Sequence, residues 1–442
     1  MTDRHAIATL PPVGRRSVLA RASLAIGAGA LALLLGGAAQ AQTVTVWSGY
    51  PEMEPFYKKV GESLKKKYPN LQVKVEAIPL REHEKRLALA LPSGSAAEVI
   101  ELANSTAQRY IEAGLMKAAP DDAAKFVGNT AYFDDFIRKT ATVGGKVYGV
   151  PLFRGQGALY YNTEKFAKAG LSSPPKTMAE YTDFAKKLTE RDGSGKATVS
   201  GWSMRLSGGG AGIAEKFWIN MFQFGGNLIE EQADGKWVTT YASEAGRKAL
   251  RLYVDNVFTD KVVTPEMPAD ADAFEREQTA MFIRESWVIG DIAQKAPKLK
   301  YGTALLPRGT IVAPVFIYSG AEGEKAKLAW EFALAANEPE NAVWLLDNVG
   351  WLPNRKDVDY SPVVAKTPAF KAFVEYPKDY AFFTLPAIAP VEEILSRLAA
   401  RLVKAFADPS LAGNDAAIDA FLKEAAAETD TILKRANLLG TK

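Results

Sequence analysis

Four pairs of adjacent carboxylates, Asp121-Asp122, Asp134-Asp135, Glu230-Glu231 and Glu392-Glu393, are the residues of this 442-residue chain whose spacing first suggests acid–base chemistry. Glycoside hydrolysis needs two carboxyl groups facing each other across a bond. Neighbours in sequence diverge in direction, so these pairs read as surface charge. Histidine is scarcer, with only His5 and His83 present. A serine–histidine–carboxylate triad would have to be built on His83, which stands in Arg81-Glu82-His83-Glu84-Lys85-Arg86 and is expected at the solvated start of a helix. The same scarcity excludes zinc capture of the usual His-rich kind. The chain has no cysteine, which excludes disulfides, thiolate metal sites, a cysteine nucleophile and a lipidated cysteine anchor. The glycine run from Ser207 to Gly212 could cradle phosphate, yet no Gly-Lys-Ser/Thr follows, and a flexible loop is expected. Tyr160-Tyr161 could offer phenolates to iron, but strand alternation should send the two hydroxyls to opposite faces. No catalytic residue, metal site or cofactor is expected.

The N-terminus has the pattern of an export signal over residues 1–41. Arg4, Arg15, Arg16 and Arg21 form a positive leader, Ser23 to Ala39 is apolar with many small residues, and Ala39-Gln40-Ala41 matches a small-x-small cleavage site. Gly14-Arg15-Arg16-Ser17-Val18-Leu19 is similar to a twin-arginine signal, with ordinary unfolded export as the alternative. The segment is short for a bilayer span. Removing the leader's four Arg and one Asp leaves 50 basic and 50 acidic residues. Such a neutral mature chain offers no electrostatic reason to bind nucleic acid or an anionic membrane. About 400 residues without disulfides can still bury adequate cores, and their length suggests two domains.

The elements that would position a site alternate. Thr43 to Trp47 alternates polar and apolar like a strand, Phe56, Val60 and Leu64 mark a helix, and Leu71, Val73 and Val75 mark a second strand. With right-handed crossover this is a βαβ unit, continued by a third strand at Glu98 to Leu102. Thr177-Met178-Ala179-Glu180 is a capping box before the stripe Tyr181, Phe184, Ala185 and Leu188. Further helical stripes lie at Leu250 to Val257, Ala326 to Ala333, Val391 to Leu402 and Ile418 to Ile432. The fold class expected is α/β. No flexible linker divides the chain, so crossings between lobes should use Val150 to Gly157 and Leu306 to Val315.

Ordered motifs then carry a resemblance. Gly145-Lys146-Val147-Tyr148-Gly149-Val150-Pro151, Leu159-Tyr160-Tyr161-Asn162, Phe166 to Leu171, Pro174-Pro175-Lys176-Thr177, the Phe274, Thr279-Ala280-Met281 and Trp287 segment, and Ala329 to Pro353 together resemble the extracellular solute-binding proteins that include maltose-binding protein. The resemblance runs from about Thr43 to Leu439. It implies a periplasmic binding protein-like fold of type II: two doubly wound lobes joined by hinge crossovers, with ligand in the interlobe cleft. The first lobe would hold residues 42–152 plus 313–355, the second 153–312 plus 356–442. It further implies a periplasmic monomer that captures a sugar-like molecule, neutral or acidic, and delivers it to the permease subunits of an ATP-driven importer. An exported carbohydrate-processing enzyme, or a binder of a polyol or sugar phosphate, is the alternative.

A pyranose has an apolar C–H face and a rim of hydroxyls, so its binder needs aromatic plates and polar groups that fork between hydroxyls. The resemblance implies Trp287 as the stacking plate. Tyr50, after the first strand, and Asn104, Ser105 and Thr106, after the third, would form a polar edge. Arg154 in a crossover and Arg205 beside the glycine run could clamp hydroxyls or a carboxylate. Trp218 and Trp351 are further aromatic candidates, with core packing as the alternative. Glu215 stands where maltose-binding protein has an aromatic residue, and Ser105 and Thr106 replace a charged pair, so maltose itself is not expected.

Overall fold

A computed structural model describes residues 42–208 and 210–441; the leader expected over residues 1–41 lies outside them. The chain opens with β1 (Thr43–Ser48), α1 (Glu54–Leu64), β2 (Gln72–Ala77), α2 (Leu80–Ala90), β3 (Val99–Ala103) and α3 (Asn104–Glu112). β1 pairs in parallel with both β2 and β3, as right-handed βαβ crossovers require. α1 lays Phe56, Tyr57, Val60 and Leu64 on this sheet, the face its four-residue spacing marks out.

β4 (Val150–Gln156) and β5 (Ala158–Asn162) are separated only by Gly157 yet belong to different sheets. α4 (Gly212–Gln223) follows, then β6 (Met281–Arg284), α5 (Trp287–Lys295), β7 (Tyr301–Ala304) and the long β8 (Gly309–Tyr318). The remaining elements used below are α6 (Gly323–Ala335), α7 (Pro339–Asn348), β9 (Leu352–Pro353), β10 (Ala381–Phe383), α8 (Val391–Ala405) and α9 (Asp415–Arg435). The larger sheet has the order β9-β4-β8-β3-β1-β2, with β10 added to the first residues of β8. β5 is the centre of a three-stranded antiparallel sheet between β6 and β7. The two expected crossover segments therefore lie side by side: β4 pairs antiparallel with β8, Gln156 opposite Val312 and Val150 opposite Ile317.

Buried apolar side chains gather in three groups. One surrounds β1–β3 and β8 with α1, α6 and α7. Another fills the space between α4, α8, α9 and the 244–254 helix. The third lies behind β5 and β6 against α5, Phe370 and Phe373. The expected capping box is present: Thr177 Oγ1 accepts from Glu180 N at 3.2 Å, and Glu180 Oε2 accepts from Thr177 N at 3.1 Å. Tyr160 enters the third core while Tyr161 packs on the second, the opposite directions that strand alternation demands. Among the described residues no helix is long and apolar enough to cross a membrane.

His83 departs from expectation. Glu82 and Lys85 beside it are exposed, but the imidazole is fully buried and Nε2 donates to the Glu101 carbonyl at 2.8 Å. One position in each helical turn points inward whatever its neighbours are, and here that position is a histidine. Burial lowers its pKa to about 4, so the ring is neutral.

Candidate ligand-binding site

Aromatic side chains converge where the chain end of β1, β4, β9 and the start of α5 meet. Tyr50 stands edge-on to Phe153 at 5.4 Å and to Trp351 at 5.3 Å between ring centroids. Phe153 and Trp351 are 4.8 Å apart, and Trp287 is 6.4 Å from Trp351. Trp351 is only 4% exposed, and its indole N–H donates to Glu52 Oε1 at 3.1 Å. Trp287 is half-buried and lines a cavity of about 380 Å³ together with Glu52, Gly290, Asp291 and Asn348. The Arg284 guanidinium lies 5.2 Å from its ring centre, a cation–π contact that keeps the plate oriented.

Beneath Tyr50 sits a polar core that sequence reasoning missed. Glu101, in the middle of β3, is fully buried. Ser48 Oγ donates to its Oε1 at 2.7 Å, the Gly49 N–H at 3.1 Å, and the Tyr57 hydroxyl meets Oε2. Burial pushes this carboxyl up to about 8, against those hydrogen bonds, which favour the anion. The signal available was a lone acid inside the apolar run Val99-Ile100-Glu101-Leu102. Asn104, Ser105 and Thr106 then begin α3, each 5% exposed, and the Asn104 amide nitrogen has no hydrogen-bond partner.

Charged groups follow on β6 and α4. Glu285 Oε1 is 2.9 Å from Lys216 Nζ, and Arg284 reaches Glu285 Oε2 and Asp270 Oδ1 at 2.6 Å each. Burial opposes ionisation of Glu285, but Arg284 and Lys216 prevail and hold its carboxyl well below the usual range. Arg205 lies against Gly212, where a Cβ would come 2.5 Å from its Nη1, and it shares a small cavity with Lys216 and Asp270. Glu215 is raised by burial, opposed by Arg81 and reinforced by Glu392.

Of the expected residues, Trp287 lines the cavity beside Glu52, Tyr50 and Trp351 pack behind it, Asn104, Ser105 and Thr106 are buried at the start of α3, and Arg205 and Glu215 belong to the α4 side. Two expected residues already hold partners within the fold. Arg154 Nη1 donates to the Pro353 carbonyl at 3.3 Å and ties β4 to β9. Trp218 is a core residue, not a ligand contact: it is 2% exposed, stacks on Phe383 at 5.3 Å, and spends its indole N–H on Asn227 Oδ1 at 2.7 Å. A tryptophan with both faces packed and its donor engaged has nothing left to offer a ligand.

Glu392 and Glu393 diverge, and Glu392 is half-buried rather than surface charge. Glu392 lies 3.4 Å from Arg81, whereas Glu393 pairs with Arg435 on α9. Among the described residues no three His, Asp or Glu side chains converge as metal ligands.

Known proteins share this architecture. A solute-binding protein of Thermotoga lettingae, solved with α-D-tagatose, superposes with a TM-score of 0.74 at 21% identity, over 89% of this chain and all of that one. A putative binding protein of Brucella abortus is 24% identical over 94% of this chain and 98% of its own length. The lactose-binding protein of Rhizobium radiobacter is 24% identical over 78% of each chain. The fold is that of type II periplasmic binding proteins, two α/β lobes joined by crossover strands. The model of the bacterial extracellular solute-binding proteins matches residues 59–372, and the chain belongs to that family.

Proposed function

We propose that this protein is the substrate-binding component of an ATP-driven importer, exported after loss of residues 1–41, and that it captures a carbohydrate between residues 42–152 plus 313–355 and residues 153–312 plus 356–442. The observation that carries this reading is the half-buried Trp287, held by Arg284 on the wall of a cavity that Glu52 and Asp291 also line. An indole accepts the C–H face of a sugar ring, and carboxylates fork between vicinal hydroxyls. The lactose-binding relative and the tagatose-bound neighbour support the same class of ligand. Asp270, Arg284, Lys216 and Glu285 are already paired among themselves, so the second wall offers balanced charge.

The ligand leaves chemically unchanged in this reading. Hydrolysis would need a pair of opposed carboxyl groups across the bound glycosidic bond. A thermal-shift panel of neutral mono- and oligosaccharides, uronic acids, polyols and sugar phosphates tests the proposal, followed by calorimetry and chromatography of the recovered ligand. Stabilisation by a neutral sugar recovered intact is the expected result. Cleaved product, or stabilisation by none of the carbohydrates, overturns it.

A further inference from the structure

Arg81 and Glu392 come from elements that bury their apolar faces in different cores. α2 sends Leu87 and Ala90 into the core around β1–β3, and α8 sends Val391, Ile394 and Leu395 into the core around α4 and α9. Between them Arg81 Nη1 lies 2.7 Å from Glu84 Oε2 on its own helix and 3.4 Å from Glu392 Oε1 on the other side. The guanidinium also presses on the glycine loop before α4. A Cβ at Gly210 would lie 2.8 Å from Arg81 Nε, so the arginine packs directly on this glycine, whose φ of +76° suits a residue without a side chain.

We propose that Arg81 is a latch across the cleft, seated between Gly210 and Glu392, that favours the closed arrangement of the two lobes before any ligand arrives. The inference rests on the two-lobe reading above and adds to it a residue outside the ligand contacts. Glu84 matters because an i,i+3 partner holds the long side chain extended toward the other lobe, so less rotamer freedom is lost on closure. Glu392 is oriented in turn by Ser396, whose Oγ donates to Oε1 at 3.4 Å. Arg109 on α3 and Glu215 on α4 complete the charges acting on this group. With Glu84, Glu215 and Glu392 against Arg81 and Arg109, loss of Arg81 leaves acidic groups of both lobes facing one another. That is repulsion where there had been attraction. A pre-closed population raises apparent ligand affinity in proportion to its share.

The absence of cysteine makes the test direct. Spin labels at Lys125→Cys and Lys404→Cys, both exposed, place one probe on each lobe of the full chain. Dipolar distance distributions are then recorded for the ligand-free protein. Arg81→Ala and Glu392→Gln should each shift the closed-to-open ratio by about three- to tenfold toward open, and the double variant should go no further than the single ones. Lys85→Ala, whose partner Glu82 lies on the same helix, should leave the ratio unchanged. Should Arg81→Ala fail to fold, Glu392→Gln alone carries the test. Distances that respond to maltose or lactose but are the same in wild type, Arg81→Ala and Glu392→Gln end the latch and spare the two lobes. Distances that move in none of the variants, nor with 1 M salt, end the latch, whereas the carbohydrate-capture reading falls separately if no carbohydrate of the thermal-shift panel stabilises the chain.

Discussion

The indole rings of Trp287 and Trp351 stand 6.4 Å apart, tilted by 35°, although one opens α5 and the other precedes β9. The pair meets because Gly350 lets the backbone approach the first turn of α5: a Cβ there would lie 3.2 Å from both the Ser286 carbonyl oxygen and the Trp287 Cα. Trp351 is sealed and bonded to Glu52, whereas Trp287 keeps part of its face open. One ring therefore supports and the other receives.

Trp287→Ala should weaken binding of the stabilising sugar by about 1 to 3 kcal/mol with little change in unfolding midpoint, measured by calorimetry beside a urea melt. Unchanged affinity in a folded variant would remove Trp287 from the site.

Gly350→Ala should cost about 1 to 3 kcal/mol of stability, since φ of +93° is strained for alanine and the new methyl crowds α5. The same variant should lose sugar affinity, because relief of the crowding moves Trp287. Full affinity at reduced stability would separate the turn from the site.

Glu101 and His83 should tilt the pH dependence of stability in opposite directions. The Glu101 carboxyl titrates near 8 when folded and near 4.5 when unfolded. The unfolded chain binds fewer protons between these values, so its contribution is present below 4.5 and lost as pH rises to about 8. His83 titrates near 4 when folded against 6.5 unfolded, so its contribution is present above 6.5 and lost as pH falls toward 4. Glu101→Gln, which keeps an acceptor toward Ser48 and Gly49, should gain on wild type steadily from pH 5 to 8 in urea melts. Parallel curves would show that Glu101 is ionised in the folded protein.

Glu285→Gln should destabilise the fold by about 3 kcal/mol, because Lys216 and Arg284 lose the buried carboxylate between them. Adding Lys216→Met should recover part of that loss, read from tryptophan fluorescence during unfolding. No recovery would mean that the carboxylate acts through Arg284 alone.

Much of the frame is local and was legible. The four-residue spacing of Phe56, Val60 and Leu64, the alternation of Thr43 to Trp47, and Thr177 with Glu180 each involve residues close in the chain, and each forms the element its pattern implies. Family motifs in order added the two-lobed architecture, since their spacing depends on which elements follow one another. The crossover segments could be named because apolar residues joined to proline and glycine, without a polar linker, have few other places to run.

The site was less legible because burial is decided by what arrives from elsewhere. Trp218 and Trp287 look alike along the chain, but Phe383 covers one and a cavity opens beside the other. His83 is surrounded by charges in sequence and by the Glu101 strand in space. Arg81 gains its meaning only when Glu392, 311 residues later, is set opposite. Sequence by itself determined the periodic elements, the absence of thiol chemistry and the family. Tertiary structure decided which aromatic faces stay open and which acids lose water, because both depend on contacts between segments that share no local pattern.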